Sequence, residues 1–299
     1  MSIQNYLYKV YFGLVSLPFA AGLYIVGWKA SVIRSNTALC SLPHPWLRFR
    51  LYQHAARDLM RLFFGRLEIP IRIRPQDAAK LKILKSSPSL FLTAHFHNWE
   101  LMGSWMTRQG VPLLSGAKPM AWVPAQSLLD RMRRRLSMKV IYRDIPRSAA
   151  RHLSAGGCFG FLWDQRVPHS ETSTPFFGHT VAVDPLPLFL LRRQSVPVHF
   201  GALLPNGTFR VISLLDTTRP RSPERGGRSP ERIANSQDRV ARRYHRVLEV
   251  LVRRHPSYWY GLAHRRFRDA IPARPDSGVS RETLAAPGLM VSRETKLSA

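Results

Sequence analysis

The feature that most constrains the fold is an alternation, from residue 88 onward, of short runs suited to β-strands and longer runs suited to helices. The strand-like runs are rich in aromatic and β-branched residues, and four of the helix-like runs begin with proline, which is tolerated at a helix start. This pattern predicts an α/β fold with a mixed central sheet flanked by helices. The predicted strands are Ser89–Ala94, Lys139–Tyr142, Cys158–Trp163, Val196–Ala202 and Phe209–Leu214, and the predicted helices are Trp99–Gln109, Pro124–Leu136, Pro146–Ala155, Pro185–Gln194 and Pro230–Arg254.

An uncharged apolar run occupies Val10–Trp28, between Lys9 and Lys29. As a helix it would span about 28 Å, close to the thickness of the hydrocarbon layer, so residues 1–30 are predicted to be a transmembrane anchor. A cleaved signal peptide and a buried core helix are the alternatives, and Pro18 weakens the run as a membrane span. More Lys and Arg residues follow the run than precede it, which predicts that the body of the protein lies on the cytoplasmic face of the membrane.

The remaining segments divide the chain further. Residues 31–87 are basic, and the stretch 49–67 predicts an amphipathic helix that fits packing on its own domain and binding to a membrane surface equally well. Residues 88–269 form the predicted main domain. Within it, residues 217–232 contain Ser-Pro-Glu-Arg twice and are predicted to be a flexible insertion, and residues 270–299 contain Val-Ser-Arg-Glu-Thr twice and are predicted to be a disordered tail.

The composition excludes several classes of protein. Two cysteines, Cys40 and Cys158, are too few for a disulfide-stapled fold or a thiolate metal site. Lys+Arg 45 against Asp+Glu 18 gives a net charge of +27, which predicts a polyanionic partner such as nucleic acid, anionic lipid headgroups or an acidic protein. We identify no helix-turn-helix, zinc-finger or RNA-recognition motif, so we expect anionic membrane lipids and an acidic protein rather than nucleic acid.

A functional site is predicted where the apolar run 90–94 ends at His95. Asn98 is a good N-cap residue, so Glu100 would lie in the first turn of the next helix, and a strand-turn-helix bend could bring it to His95 at the carboxyl end of a strand, where open α/β sheets bind ligands. An imidazole held by a carboxylate is a general base for a hydroxyl. The alternatives are a capping histidine beside a solvated glutamate, and a metal site of His95, His97 and Glu100 that lacks a further ligand with suitable spacing.

These residues also resemble a known family. The block His95-Phe-His-Asn-Trp-Glu100 is similar to the His-Phe-Gly-Asn-Trp-Glu block of the late, lauroyl or myristoyl type lipid A biosynthesis acyltransferases, within the lysophospholipid acyltransferase superfamily and its His-x4-Asp/Glu motif. The family's glycine is His97 here, and we expect this histidine at the surface. Four further blocks follow in the family's order: Trp163-Asp164-Gln165 after Gly156-Gly157, Pro175-Phe176-Phe177-Gly178, Val196-Pro197-Val198 after Arg192-Arg193, and His255-Pro256-Ser257-Tyr258-Trp259 before His264-Arg265-Arg266-Phe267.

The resemblance implies an O-acyltransferase anchored in the cell inner membrane. It would move a fatty acyl chain from acyl carrier protein, or acyl-CoA, to a hydroxyl of a lipid A precursor or a similar glycolipid, with no metal or other cofactor. The alternatives are an acyltransferase that uses acyl-CoA and acts on a lysophospholipid or a phosphoinositide mannoside, and a non-catalytic basic protein that binds lipid or nucleic acid.

The resemblance also assigns roles to residues. His95 would be the general base and Glu100 its partner, while substrate binding would involve Asp164, Gln165, Phe176 and Phe177. The family's arginine corresponds to one member of a basic group, with Arg134 or Arg135 preferred: Arg131, Arg133, Arg134, Arg135 and Arg143. Transfer without a covalent enzyme intermediate is expected, because Cys158 lies in an apolar strand and the chain lacks a Gly-x-Ser-x-Gly motif.

Overall fold

The computed structural model describes residues 3–42, 45–64, 71–168, 170–216 and 230–272. Its helices are α1 (Ile3–Ile25), α2 (Ala30–Leu39), α3 (Leu47–Phe64), α4 (Pro75–Ser86), α5 (Trp99–Arg108), α6 (Val123–Arg135), α7 (Ile145–Ser154), α8 (Leu186–Arg193) and α9 (Pro230–Arg254). Its strands are β1 (Arg72–Ile73), β2 (Ser89–Thr93), β3 (Leu113–Gly116), β4 (Lys139–Ile141), β5 (Cys158–Leu162), β6 (Ser173–Phe176), β7 (His179–Ala182), β8 (Val198–Leu203), β9 (Thr208–Leu215) and β10 (Ile271–Pro272). Two 3-10 turns, Pro256–Tyr258 and Tyr260–Ala263, follow α9.

Seven strands form the central sheet, in the order β1-β9-β8-β2-β5-β3-β4. The five strands from β8 to β4 run parallel, whereas β9 runs antiparallel to β8. The predicted mixed α/β sheet flanked by helices is therefore confirmed, and each of the five predicted strands is present. The apolar runs predicted them correctly because both faces of these strands are covered, as is usual for parallel sheets.

Alternate residues of β2 face opposite sides of the sheet, and each side has its own core. Leu90 and Leu92 belong to the larger core, which includes residues of α7, α8 and α9. Phe91 belongs to the core on the other face, together with Met102 and Met106 of α5. The domain thus has three layers, and α5, which follows β2 directly, covers one of the outer faces.

Several features of the fold were not predicted, among them strand β3 and a second sheet. Strand β3 is only four residues long, which leaves little local pattern to read. A second sheet, of order β10-β7-β6, is antiparallel, and its strand β10 lies at the start of the segment predicted to be a disordered tail. That prediction is wrong for residues 271–272, which pair with β7, while residues 217–229 and 273–299 lie outside the described residues.

The predicted single membrane span is not confirmed. Helix α1 ends at Ile25, because Gly27 and then Lys29 take the left-handed conformation, with φ of 68° and 54°. Among the helices that the structure describes, none is by itself long and apolar enough to cross a membrane, but Tyr11–Ile25 and Ala30–Leu39, with a 91° bend between them, meet that criterion of length and composition as a pair.

The predicted amphipathic helix is present as α3, and its apolar face packs within the protein. Leu51 and Leu62 are buried, and α3 contacts α1 as well as the turn at Pro256–Tyr258. Packing on its own domain, one of the two interpretations of this helix, therefore accounts for its apolar face.

Candidate active site

The parallel register of β2 and β5 brings two distant segments together. Thr93 lies opposite Leu162, so the chain places His95 and Asp164, each two residues further on, at the same edge of the sheet. This is the carboxyl edge, where ligands bind in open α/β sheets. The site therefore begins from a backbone register that joins residues 69 positions apart.

His95 and Asp164 form a hydrogen-bonded pair. The Nδ1 atom of His95 lies 2.7 Å from Oδ1 of Asp164. The other carboxylate oxygen of Asp164, Oδ2, accepts hydrogen bonds from the backbone N–H of His95 and from Nε1 of Trp259, both at 2.9 Å. Three donors thus fix the carboxylate, which in turn fixes the plane of the imidazole.

These contacts keep Asp164 ionised. Burial alone would raise the pKa of this carboxyl, but the charge of His95 and the hydrogen bonds from His95 and Trp259 outweigh it and lower the pKa to about 2. An ionised Asp164 accepts the Nδ1 proton of a neutral imidazole. The lone pair then lies on Nε2, which is the arrangement of a general base.

The Nε2 atom of His95 faces polar and aromatic groups. The amide nitrogen of Gln165 lies 3.1 Å from Nε2, and the rings of Trp99 and His264 lie with centroids 4.9 and 5.4 Å from that of His95. Burial and the neighbouring charge of His95 lower the pKa of His264. The His95 side chain remains 18% exposed, so part of the imidazole is accessible from outside the protein.

Glu100 does not occupy the position that the sequence analysis gave it. Its oxygens accept hydrogen bonds from Arg133, with Nη2 to Oε1 at 2.5 Å and Nε to Oε1 and Oε2 at 3.2 and 3.3 Å. The N-cap prediction for Asn98 is confirmed, since its side chain accepts the backbone N–H of Leu101. The helix begins where predicted, but the partner of the imidazole is Asp164 and not Glu100.

The arginine that reaches this site is Arg133. Besides Glu100, it donates through Nη1 to the hydroxyl of Tyr142 at 2.8 Å. Successive side chains of a helix point about 100° apart, so those of Arg134 and Arg135 point away from Glu100, and both are exposed. Arg135 donates to the carbonyl oxygen of Phe63, and the side chain of Arg143 is exposed as well, so the structure does not bring the preferred arginines to Glu100.

The two phenylalanines of the Phe-Phe-Gly block are buried behind the site. Phe176 packs with its ring centroid 5.6 Å from the rings of both Trp259 and Phe267, and Phe177 contacts the same two rings. They therefore support Trp259, the donor to Asp164. The structure places both in the core, whereas the resemblance assigned them to substrate binding.

His97 is buried, and the expectation of a surface histidine is wrong. Its Nδ1 atom lies 2.8 Å from Oδ2 of Asp58 on α3, and the same oxygen accepts the hydroxyl of Tyr260 at 2.6 Å. Burial would raise the pKa of Asp58, but His97 and Tyr260 lower it overall. The backbone of His97 has φ of 46°, a conformation that favours glycine, which fits the glycine of the family's block.

Two cavities differ in their relation to these residues. A small cavity of about 40 Å³ lies between α5 and the sheet, with Trp99, Glu100 and Arg133 in its lining. Its remaining lining is mostly apolar and includes Phe91, Met102, Leu113, Met138, Val140, Leu162 and the glycines Gly103, Gly116 and Gly160. A larger groove of about 740 Å³ lies between α8 and α9. Neither cavity is lined by His95 or Asp164, but the lining of the small one includes Trp99, whose ring packs against that of His95.

The sequence analysis missed the roles of Asp58, Trp259 and Tyr260. Trp259 and His264 lie within the C-terminal block that carried the family resemblance. The resemblance therefore indicated that they matter, but it did not indicate which residues they contact. Asp58 lies on the amphipathic helix, where an acidic residue among arginines gives no sign of burial. Within the described ranges, no three side chains of His, Cys, Asp or Glu come together as a metal site.

Comparison with known proteins identifies the family of the chain. The family model described as bacterial lipid A biosynthesis acyltransferase matches residues 48–269, a range that includes α3, His95, Glu100, Arg133, Asp164 and Trp259. No curated protein matches the chain significantly. The family match covers most of the chain, and it contains the hydrogen-bonded residues of the candidate active site. The chain therefore belongs to the bacterial lipid A biosynthesis acyltransferases, a family of acyl-transferring enzymes.

Proposed function

We propose that this protein transfers a fatty acyl chain from the thioester of acyl carrier protein to a hydroxyl of a lipid A precursor. The family supports the acyl transfer, and the observation that carries the mechanism is the hydrogen-bonded pair of His95 and Asp164 at the carboxyl edge of the sheet. The net charge of +27 supports an acidic carrier and a phosphorylated, anionic acceptor.

In the proposed reaction, the acceptor hydroxyl donates its proton to Nε2 of His95 as its oxygen attacks the thioester carbonyl carbon. The resulting tetrahedral intermediate carries a negative oxygen, which needs a nearby hydrogen-bond donor. We propose that the side-chain amide of Gln165, which lies 3.1 Å from Nε2 of His95, moves to supply one when substrate binds. Collapse of the intermediate breaks the carbon–sulfur bond, and the departing thiolate takes the proton back from His95.

Asp164 holds the imidazole in the tautomer that this reaction needs and stabilises the imidazolium that forms. In the Ser-His-Asp proteases, replacing the equivalent aspartate by asparagine lowers turnover by about 10⁴-fold. Glu100 and Arg133 form a polar pair in the lining of the small cavity. We propose that Glu100 and Arg133 position the reacting ends of the substrates. The apolar part of this cavity would receive the acyl chain once α5 and the sheet have moved apart to enlarge it.

We also propose that α1 and α2 hold the enzyme on the membrane, with the catalytic domain on the cytoplasmic face of the inner membrane. One face of α1 packs on α3, where Phe12 and Ala20 are buried, while Leu14 and Phe19 on other faces are exposed. A helix with large apolar side chains on its outer face fits contact with lipid.

The test is acyl transfer from labelled acyl carrier protein to a lipid A precursor in detergent micelles. We expect transfer by the wild type and a loss of about 10²–10⁴-fold for His95→Ala, as for removal of a general base. We expect Arg133→Gln to lose more transfer than its matched control Arg134→Gln, since of these two arginines it is Arg133 that contacts Glu100. Transfer to a lysophospholipid from acyl-CoA, with none to lipid A precursors, would replace the proposed substrates, and silence with every donor and acceptor would contradict the proposal.

A further inference from the structure

We propose that the segment between β3 and α6 is a second membrane contact, which seats the catalytic edge of the sheet on a bilayer that contains anionic lipids. All residues from 118 to 124 are exposed, and only the first of them, Lys118, is charged. We call residues 120–123 together with Leu128 the apolar tip. This inference rests on the proposed function in that it assumes a substrate held in a membrane.

The apolar tip exposes side chains that a water-soluble surface rarely groups together. Trp122 is 69% exposed and Val123 is 70% exposed, Met120 two residues before Trp122 is also exposed, and so is Leu128 in the second turn of α6. Adjacent exposed apolar side chains of this size mark a site of interaction. Tryptophan in particular is enriched where a protein meets the boundary between lipid and water.

The apolar tip lies at the same edge of the sheet as His95. Strand β3 is parallel to β5, and β5 to β2, so the segment that leaves β3 after Gly116 starts at the carboxyl edge. Two strand spacings separate β3 from β2, which places this start about 10 Å from the end of β2. A membrane that touches the tip is therefore close to the catalytic histidine.

A second exposed apolar feature is the corner between α1 and α2, where Ile25 and Val26 are exposed. The hydroxyl of Tyr52 on α3 donates to the carbonyl oxygen of Trp28 at this corner. Further along α2, the side chain of Asn36 donates to the carbonyl oxygen of His264, whose ring lies beside that of His95. Helix α2 therefore connects the exposed corner to the surroundings of the active site.

The charges that flank the tip fit anionic headgroups. Lys118 lies directly before the tip, and helix α6, which begins at it, carries exposed Arg131, Arg134 and Arg135 about 12–18 Å further along its axis. A basic helix beside inserted apolar side chains is the pattern of proteins that bind anionic bilayers. This gives a role to the arginines that do not reach Glu100. An acidic carrier protein would complement the arginines, but it would not account for the exposed tryptophan and valine.

The experiment places an environment-sensitive fluorophore at the tip of the full chain through Val123→Cys. Cys40 and Cys158 are buried, so labelling of the unmodified chain measures the background. The matched control is Gln109→Cys, an exposed position at the end of α5 and hence at the opposite edge of the sheet. Each labelled chain is mixed with phosphatidylglycerol vesicles that carry a quencher in the acyl region.

We expect a blue shift and strong quenching for Val123→Cys, at least a several-fold smaller response for Gln109→Cys, and a weakened response when Trp122→Asp is added to Val123→Cys. Equal responses at both labelled positions would overturn the proposal. So would a shift that grows with protein concentration without lipid, which indicates a second copy, or one that requires acyl carrier protein instead of vesicles. None of these readings depends on acyl transfer, so failure of the proposed function and failure of this contact are distinguishable.

Discussion

Two histidines two residues apart, His95 and His97, each bond through Nδ1 to a buried aspartate, yet their surroundings differ. The distances are alike, 2.7 Å to Asp164 and 2.8 Å to Asp58. The exposure is not, since the side chain of His95 is 18% exposed and that of His97 only 4%. The two pairs therefore share their chemistry and differ in access to substrate.

The comparison teaches that an imidazole bonded to a carboxylate can act as a general base only where a substrate can reach its second ring nitrogen. At His95 the pair lies at the open edge of the sheet. At His97 the pair links α3 to the loop after β2, with the Tyr260 hydroxyl on the same carboxylate. Tyr260 also joins the two sites, because its backbone N–H donates to the carbonyl oxygen of His95 at 2.8 Å. In the proposed mechanism the first pair takes part in the chemistry, while the second holds the loop after β2 in place.

The largest expected effect is the loss of activity in Asp164→Asn. An amide at this position can no longer accept the Nδ1 proton as a carboxylate does, so we expect acyl transfer to fall by about 10³–10⁴-fold. The measurement is the initial rate in micelles, with circular dichroism to check the fold. Glu100→Gln is the comparison, and a greater loss there than in Asp164→Asn would reverse the assignment of the partner of His95.

Asp58→Asn should act on stability instead. Removing one member of a buried charged pair costs about 3–5 kcal/mol, and Asp58 is buried. We expect urea unfolding in micelles to show this loss, while the turnover per folded molecule stays within several-fold of wild type. A folded and fully stable Asp58→Asn with no turnover would place the second pair in the chemistry and remove the distinction.

Acid should weaken both pairs. The pKa of Asp164 is lowered from an ordinary 3.8 to about 2, so this carboxylate stabilises the fold above about pH 4 and loses this contribution as the pH falls toward 2. The pKa of Asp58 is also lowered, so its contribution to stability is likewise lost in acid. For Asp164 the loss is about 2 kcal/mol. Urea unfolding of wild type and Asp164→Asn between pH 5 and pH 2.5 measures it, and equal slopes for the two chains would contradict the assignment.

The smallest expected effect separates the backbone of His97 from its side chain. Both His97→Gly and His97→Ala lose the bond to Asp58, but only glycine relaxes the φ of 46°. We therefore expect His97→Gly to be about 1 kcal/mol more stable than His97→Ala, with both less stable than wild type. Thermal unfolding measures the difference, and an alanine variant as stable as the glycine one would show that the backbone there is not strained.

The sequence predicted those parts of the fold that local patterns encode. The apolar run 89–94 indicated β2 and the position of His95 at its end, and Asn98 indicated the start of α5. The partner of His95 could not be read in this way, because Asp164 reaches it through the register of two strands, whereas Glu100 is near only in sequence. The choice of Arg133 over Arg134 depends on how α6 is rotated against α5, and the burial of His97 depends on α3, neither of which has a local signature.

The most direct test of the central claim is a double-mutant cycle of acyl transfer with His95→Ala, Asp164→Asn and the two combined. If Asp164 acts through the imidazole, the combined variant will be no slower than His95→Ala alone, because residues that act as a unit are not additive. Rates that multiply, so that the combined loss equals the product of the single losses, would show that Asp164 acts independently of His95 and would contradict the account.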